Sequence, residues 1–153
     1  MKARRVHSFE PQAHLIDVIK KTLELNQIDN VTLHHAVAGA KLGKAHLKRT
    51  HVENSGMAEF RPGAGDLPVD MLPVDDVVGE EHVTGVKIDV EGMQMPVLRG
   101  MSKTIRRCAP VLWLELRPAK GEIEQPSEWL AKRGYRRQQI SFRDFLFIPE
   151  TSA

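Results

Sequence analysis

The sequence predicts an α/β fold with a largely parallel sheet and an antiparallel finish. Three observations carry that expectation. Strand-like and helix-like stretches alternate from Val6 to Leu116. The run Val111-Leu112-Trp113-Leu114 is apolar on both faces, as a covered parallel strand is. The tail holds two strand-like pieces separated by a hairpin-sized gap. With 153 residues, 41% hydrophobic and 27% charged, the chain fits one domain over 1–153 and has enough length for a real core.

The elements follow in order. Val6 to Phe9 is a β-prone run closed by Glu10-Pro11, because proline lacks a donor and suits the first turn of a helix. Leu15, Ile19 and Leu23 recur at four-residue spacing, which predicts an amphipathic helix over Gln12 to Asn26. Val31, Leu33, His35 and Val37 alternate, which predicts one strand from Val31 to Val37. From Lys41 to Leu67 the pattern is weak: Leu42 to Leu47 reads as an edge strand and Arg61 to Asp66 as turn-rich. Pro68 and Pro73 interrupt the next stretch, before a short helix around Val74 to Val78. Val86 to Val90 is a strand ended by Glu91-Gly92, and one helix is expected from about Met93 to Arg107, with Pro96 tolerated in its first turn. Val111 to Leu116 is the covered strand. Ser127 reads as the N-cap, and Gly134 as the C-terminal stop, of a short helix holding Trp129 and Leu130. Tyr135 to Phe142 and Phe145 to Ile148 form the closing hairpin.

Composition excludes several functions. Basic and acidic residues number 22 and 20, and a net charge of +2 gives no footprint for nucleic acid. Arg106-Arg107 and Arg136-Arg137 read as solvated ends of elements. No apolar run approaches the ~20 residues of a membrane span, and Val6 to Glu10 stands where a signal peptide needs an apolar stretch, so a cytoplasmic location is expected. The lone Cys108 reads as a half-buried thiol near a helix end. His34 and His35 point to opposite faces of a strand, and no histidine spacing suggests zinc, so no metal site is expected. Gly63-Ala64-Gly65 resembles part of a phosphate-binding turn but follows no strand.

Carboxylates supply the candidate chemistry. In open α/β sheets ligands gather at the carboxyl ends of strands. Three strands end there in acids: Glu10, Asp89 with Glu91, and Glu115. An ionised carboxylate only accepts hydrogen bonds and can take two at once, which suits ribose hydroxyls. On spacing alone, Glu10 reads first as a surface acid at a helix start, stabilised by that helix's N-terminus. Asp89 and Glu91 share a face of an extended strand; they could orient a hydroxyl, hold a cation, or pair with Lys87 or Arg99.

Three blocks together resemble the FkbM-type methyltransferase family: Val6-His7-Ser8-Phe9-Glu10-Pro11, Asn30 to Ala38, and Lys87-Ile88-Asp89-Val90-Glu91-Gly92 with Val97-Leu98-Arg99-Gly100 downstream. The resemblance implies a Rossmann-like class I methyltransferase fold. It further implies transfer of a methyl group from S-adenosylmethionine to a hydroxyl of a small molecule such as a sugar or secondary metabolite. It places Glu10 at the cofactor ribose, with His35 and Ala36 near the adenine. Asp89, Glu91 and Glu115 then face the transfer site, with Asp89 as base or hydroxyl-orienting group.

Two departures stand out. Gln94 occupies a position where the family usually has glutamate. The family's first strand and acidic, glycine-rich turn have no counterpart, because the chain opens just before the second strand. That predicts an incomplete domain, unpaired backbone at the central edges, weak cofactor binding and a tendency to homo-oligomerise. The competing expectation is a non-catalytic Rossmann-like interaction module that has lost its cofactor site.

Overall fold

Fifteen strands and helices build the part of the chain that the computed structural model describes, residues 3–47, 60–61 and 67–150. They run β1 (Val6–Phe9), α1 (Ala13–Leu25), β2 (Val31–His34), β3 (Val37–Ala38), β4 (Gly43–Leu47), β5 (Phe60–Arg61), β6 (Leu67–Leu72), α2 (Val74–Val78), β7 (Gly85–Ile88), α3 (Gln94–Gly100), α4 (Ser102–Cys108), β8 (Val111–Glu115), α5 (Glu124–Ala131), β9 (Tyr135–Gln139) and β10 (Asp144–Pro149). A 3-10 turn, Pro118–Lys120, follows β8. Gly63-Ala64-Gly65 lies outside the described residues.

The strands form three sheets, ordered β1-β2, β3-β6-β4-β5 and β7-β8-β10-β9. The expected largely parallel sheet is therefore not what the described residues show. Parallel pairing joins β1 to β2, β3 to β6 and β7 to β8. Antiparallel pairing joins β4 to both β5 and β6, and β10 to both β8 and β9. Among the described residues β1 pairs only with β2, and β7 only with β8.

Four local expectations are also corrected. The strand from Val31 to Val37 splits, because the Ala36 N–H bonds back to the His34 carbonyl at 2.9 Å and turns the chain out of the first ladder. Leu42 to Leu47 is no edge, since β4 lies between β6 and β5. The helix from Met93 to Arg107 breaks at Met101 into α3 and α4. Asp75 of α2 causes a new start there: its carboxylate accepts the Lys103 and Thr104 N–H groups at 3.0 and 2.8 Å, and the Thr104 hydroxyl at 2.7 Å. This satisfies donors that a helix start leaves without partners. Ser127 is likewise inside α5 rather than capping it, donating its hydroxyl to the Ile123 carbonyl at 2.6 Å.

Helices α3, α4 and α5 cover one face of the β7-β8-β10-β9 sheet. Val97, Leu98, Met101, Ile105 and Leu130 pack there against Ile88, Leu112, Leu114, Phe145 and Phe147. Arg107, exposed as expected, also donates to the carbonyls of Gly79, Glu80 and Glu81 at 2.6–2.9 Å, tying α4 to the end of α2. The free Cys108 ends α4 half-buried, as its position suggested. The β1-β2 pair joins this body through Phe9, which packs on the same core, and through Glu81, which receives Arg5 at 2.6 Å and His7 at 3.4 Å. His7 stacks on His34 with a 3.0 Å ring-nitrogen contact, and His34 stacks on Phe9.

The middle sheet meets α3 at two glycines. A Cβ on Gly100 would lie 1.8 Å from the Gly39 carbonyl oxygen, so only a residue without a side chain permits this approach. Gly100→Ala should therefore push α3 away from β3. The expected loss is about 1–3 kcal/mol, as for other overpacked sites, and chemical denaturation measures it. An unchanged denaturation midpoint would mean the contact is looser than this.

Candidate active site

Strand register builds the site. Parallel pairing sets Lys87 beside Trp113 and Ile88 beside Leu114, so the next pair beyond the ladder is Asp89 with Glu115. The sheet's alternation turns Lys87 and Asp89 to the same side as Trp113 and Glu115, away from the core residues Ile88 and Leu114. Two like charges thus stand side by side at the carboxyl ends of neighbouring parallel strands.

The surroundings decide how that pair behaves. Burial, with Asp89 in hydrogen-bonding contact, pushes the Glu115 carboxyl above the ordinary glutamate value. Lys87 bonds Asp89 at 2.9 Å, and that contact holds its ammonium above the ordinary lysine range. Arg143 stands 3.8 Å from Glu115. Asp144, opposite Glu115 on β10, accepts the Ser141 hydroxyl and the Trp113 indole N–H, which hold it below the usual range. A proton-accepting carboxyl therefore sits among fixed donors and acceptors.

Glu91 is oriented differently. Gly92 takes a φ of +76°, a conformation that favours glycine, and the chain leaves β7 through this turn. Glu91 forms an ion pair with Arg117 rather than with Arg99. Arg117 is in turn gripped by Glu122, whose carboxylate accepts the Arg117 main-chain N–H at 2.9 Å and its Nε at 3.0 Å. Burial acts to raise Glu122, but the Arg117 contacts outweigh it and hold the carboxyl low. Gln94, 4% exposed, donates its amide to Glu122 and to the Glu115 carbonyl, each at 3.2 Å. A glutamate there would set a carboxylate against Glu122, so the sequence departure at Gln94 is matched by its neighbour. Asp89, Val90, Glu91, Gln94, Glu115 and Arg117 enclose a cleft of only about 10 Å³, room for roughly one water.

The other sequence candidates form a second group. Glu10 follows β1, and its Oε1 accepts the Gln12 N–H at 2.8 Å at the start of α1. The Glu10 N–H bonds the His34 carbonyl at 3.0 Å, which carries the β1-β2 ladder one residue further. His35 contacts the Pro11 carbonyl at 3.2 Å, and Ala36 is buried. Glu10, His35 and Ala36 are thus gathered at the ends of β1 and β2. Asp89, Glu91 and Glu115 are gathered at the ends of β7 and β8. Sequence reasoning missed Arg117, Glu122 and the bridging role of Gln94. Only the five-residue spacing of Arg117 and Glu122 could have hinted at them, and such spacing is common.

Carboxylates at the ends of parallel strands, in mixed sheets backed by helices, define an α/β protein of the kind that binds ligands at its strand ends. The chain belongs to the FkbM methyltransferase family: the methyltransferase FkbM domain matches residues 1–137. It is 23% identical over 152 residues to "Methyltransferase 1" of Beauveria bassiana (strain ARSEF 2860), covering 84% of this chain and 61% of that protein. Its fold is similar to the crystal structure of methyltransferase FkbM from Methylobacillus flagellatus KT, with a TM-score of 0.67 and 18% identity over 94% of this chain. The chain spans 36% of that solved protein's length.

Glu115 makes a testable contribution to stability. Its folded-state pKa is raised, so ionisation costs folding free energy as pH climbs through the unfolded value toward the folded one. Glu115→Gln should therefore raise the melting temperature at pH 7. The gain should vanish near pH 4, where the parent carboxyl is largely protonated. A variant less stable than the parent at pH 7 would contradict the assigned environment.

Proposed function

We propose that the chain provides the acceptor side and the ribose-binding side of an S-adenosylmethionine-dependent O-methyltransferase acting on a hydroxyl of a small molecule. The observation that carries this reading is the Asp89-Glu115 pair on the open face of β7 and β8, with Glu115 raised toward proton acceptance.

S-adenosylmethionine, when bound, supplies an electrophilic methyl group. The residues at the ends of β1 and β2 fit its ribose end. Glu10 spends Oε1 on the Gln12 N–H, yet a carboxylate has about four acceptor positions, enough for ribose hydroxyls as well. His35 and Ala36 flank it and offer an imidazole and a small buried side chain toward a purine.

On the acceptor side, Asp89, steadied by Lys87, accepts the hydroxyl hydrogen bond and orients the oxygen. Glu115 takes the proton as the oxygen attacks. Its carboxyl, raised by burial and by the Asp89 contact, suits proton acceptance, and the base role is therefore proposed for Glu115 and the orienting role for Asp89. Glu91 acts through Arg117, fixing the Gly92 turn that carries Asp89 outward. Alignment of donor and acceptor is worth ~7–11 kcal/mol in general, and a positioned base adds roughly 10²–10⁴-fold.

Two measurements test the two halves separately. In calorimetric titration with S-adenosylmethionine, Glu10→Ala should weaken binding about tenfold while Glu115→Gln leaves it unchanged. In transfer of labelled methyl to a panel of sugar and phenol hydroxyls, Glu115→Gln should lower turnover by roughly 10²–10⁴-fold. No binding by the parent chain would favour a non-catalytic interaction module instead.

A further inference from the structure

His7 and Phe9 share a face of β1, and His34 stands opposite Phe9 on β2, so three rings meet on one side of this strand pair. The His34 ring centre lies 5.3 Å from that of His7 and 4.9 Å from that of Phe9. Nδ1 of His7 and Nε2 of His34 are 3.0 Å apart, a hydrogen-bonding distance. Nε2 of His7 faces the Glu81 carboxylate at 3.4 Å. The hydrogen bond from Arg5 holds that carboxyl below its ordinary value, which keeps it ionised.

These contacts limit how many protons the two imidazoles can hold. An ionised carboxylate only accepts, so Nε2 of His7 carries a hydrogen. Between the rings there is room for one more. It sits on Nε2 of His34 when both rings are neutral, and on Nδ1 of His7 when His7 is the cation. Protonating both facing nitrogens would set N–H against N–H across the 3.0 Å gap, with two like charges and no acceptor. The charged and titratable neighbours are engaged elsewhere. Arg107 and Cys108 of α4 meet the Glu81 carbonyl rather than its carboxylate. Glu10 and His35, at the strand ends, bond the Gln12 N–H and the Pro11 carbonyl.

We propose that His7 and His34 form a pH-sensitive latch on the carboxyl end of the β1-β2 pair, closed while the rings share one hydrogen and opened when both facing nitrogens are protonated. The His34 carbonyl ties the latch to the backbone, because it accepts the Glu10 N–H at 3.0 Å and the Ala36 N–H at 2.9 Å. Driving the His34 ring out of the stack therefore loosens the strand ends that gather Glu10, His35 and Ala36. Burial first, and His7 second, hold the His34 imidazole below the ordinary histidine value, as the closed state requires. The closed state thus binds fewer protons than the opened one. Its advantage is complete above about pH 6.5 and falls as acid is added, by up to about tenfold per pH unit until the lowered value is reached. With Glu10 as ribose ligand, a consequence that rests on the proposed function, acid weakens cofactor binding through β2.

Amide hydrogen exchange of the full chain, followed by NMR without cofactor, is the test. It reads the latch whether or not the chain transfers methyl groups, so the two proposals fail separately. Protection factors, which remove the intrinsic pH dependence of exchange, are compared at about pH 7.5 and about pH 5. In the parent, Glu10 and Ala36 should lose about tenfold or more of their protection in acid while the amides of β8 keep theirs. The His34 ring should titrate below an ordinary histidine. His34→Gln and His7→Gln each remove one of the facing imidazoles, so in either variant the Glu10 and Ala36 protection should be the same at both pH values. Equal protection in the parent overturns the inference. So does a loss that β8 shares, or one that a folded variant retains.

Discussion

The register of two short parallel strands is the constraint on which the candidate chemistry rests. Because β7 and β8 align Ile88 with Leu114, the residues just beyond must be neighbours, and both are acids. The cost of holding like charges together is met locally by Lys87, by Arg143 and by the shift of Glu115 toward its protonated form. A carboxyl raised above its ordinary value is also a better proton acceptor. The core side of the same strands is sealed by Ile88, Leu112 and Leu114 against α3 and α4, so a slip by one residue would bury the acids and expose the core. Packing on one face thus holds the chemistry on the other in place.

A second layer of residues keeps the exit from β7 in shape. Gly92 permits the turn, Glu91 reaches Arg117, and Glu122 and Gln94 hold Arg117 from the other side. Gln94 earns its place through an amide that can donate to Glu122, which a glutamate could do only if protonated. Glu91, read from sequence as facing the transfer site, is ion-paired with Arg117 in this arrangement. The β1-β2 pair with Glu10 is attached more lightly, through Phe9 and the contacts of Arg5 and His7 with Glu81.

Much of this was legible in the sequence, for identifiable reasons. β1, β7, β8 and the closing hairpin announce themselves through apolar runs bounded by Glu-Pro, Glu-Gly and polar turns. The paired acids at the strand ends follow from where those runs stop. The failures come from partners distant in sequence. Nothing near Met101 says that Asp75 will start a new helix there, and nothing near Ser127 says that α5 begins three residues earlier. The antiparallel β4-β6 ladder was hidden by Pro68. That residue sits where β6 pairs with β4 but no longer with β3. The expectation of a largely parallel sheet failed mainly on that stretch.

The account turns on Glu115 and Asp89 behaving as one coupled unit. The most direct measurement is a carbon-detected NMR titration of the Glu115 carboxyl in the parent chain and in Asp89→Asn. The account predicts that Glu115 titrates above an ordinary glutamate in the parent and moves down toward that value once Asp89 loses its charge. An ordinary titration, unchanged by the substitution, would contradict it.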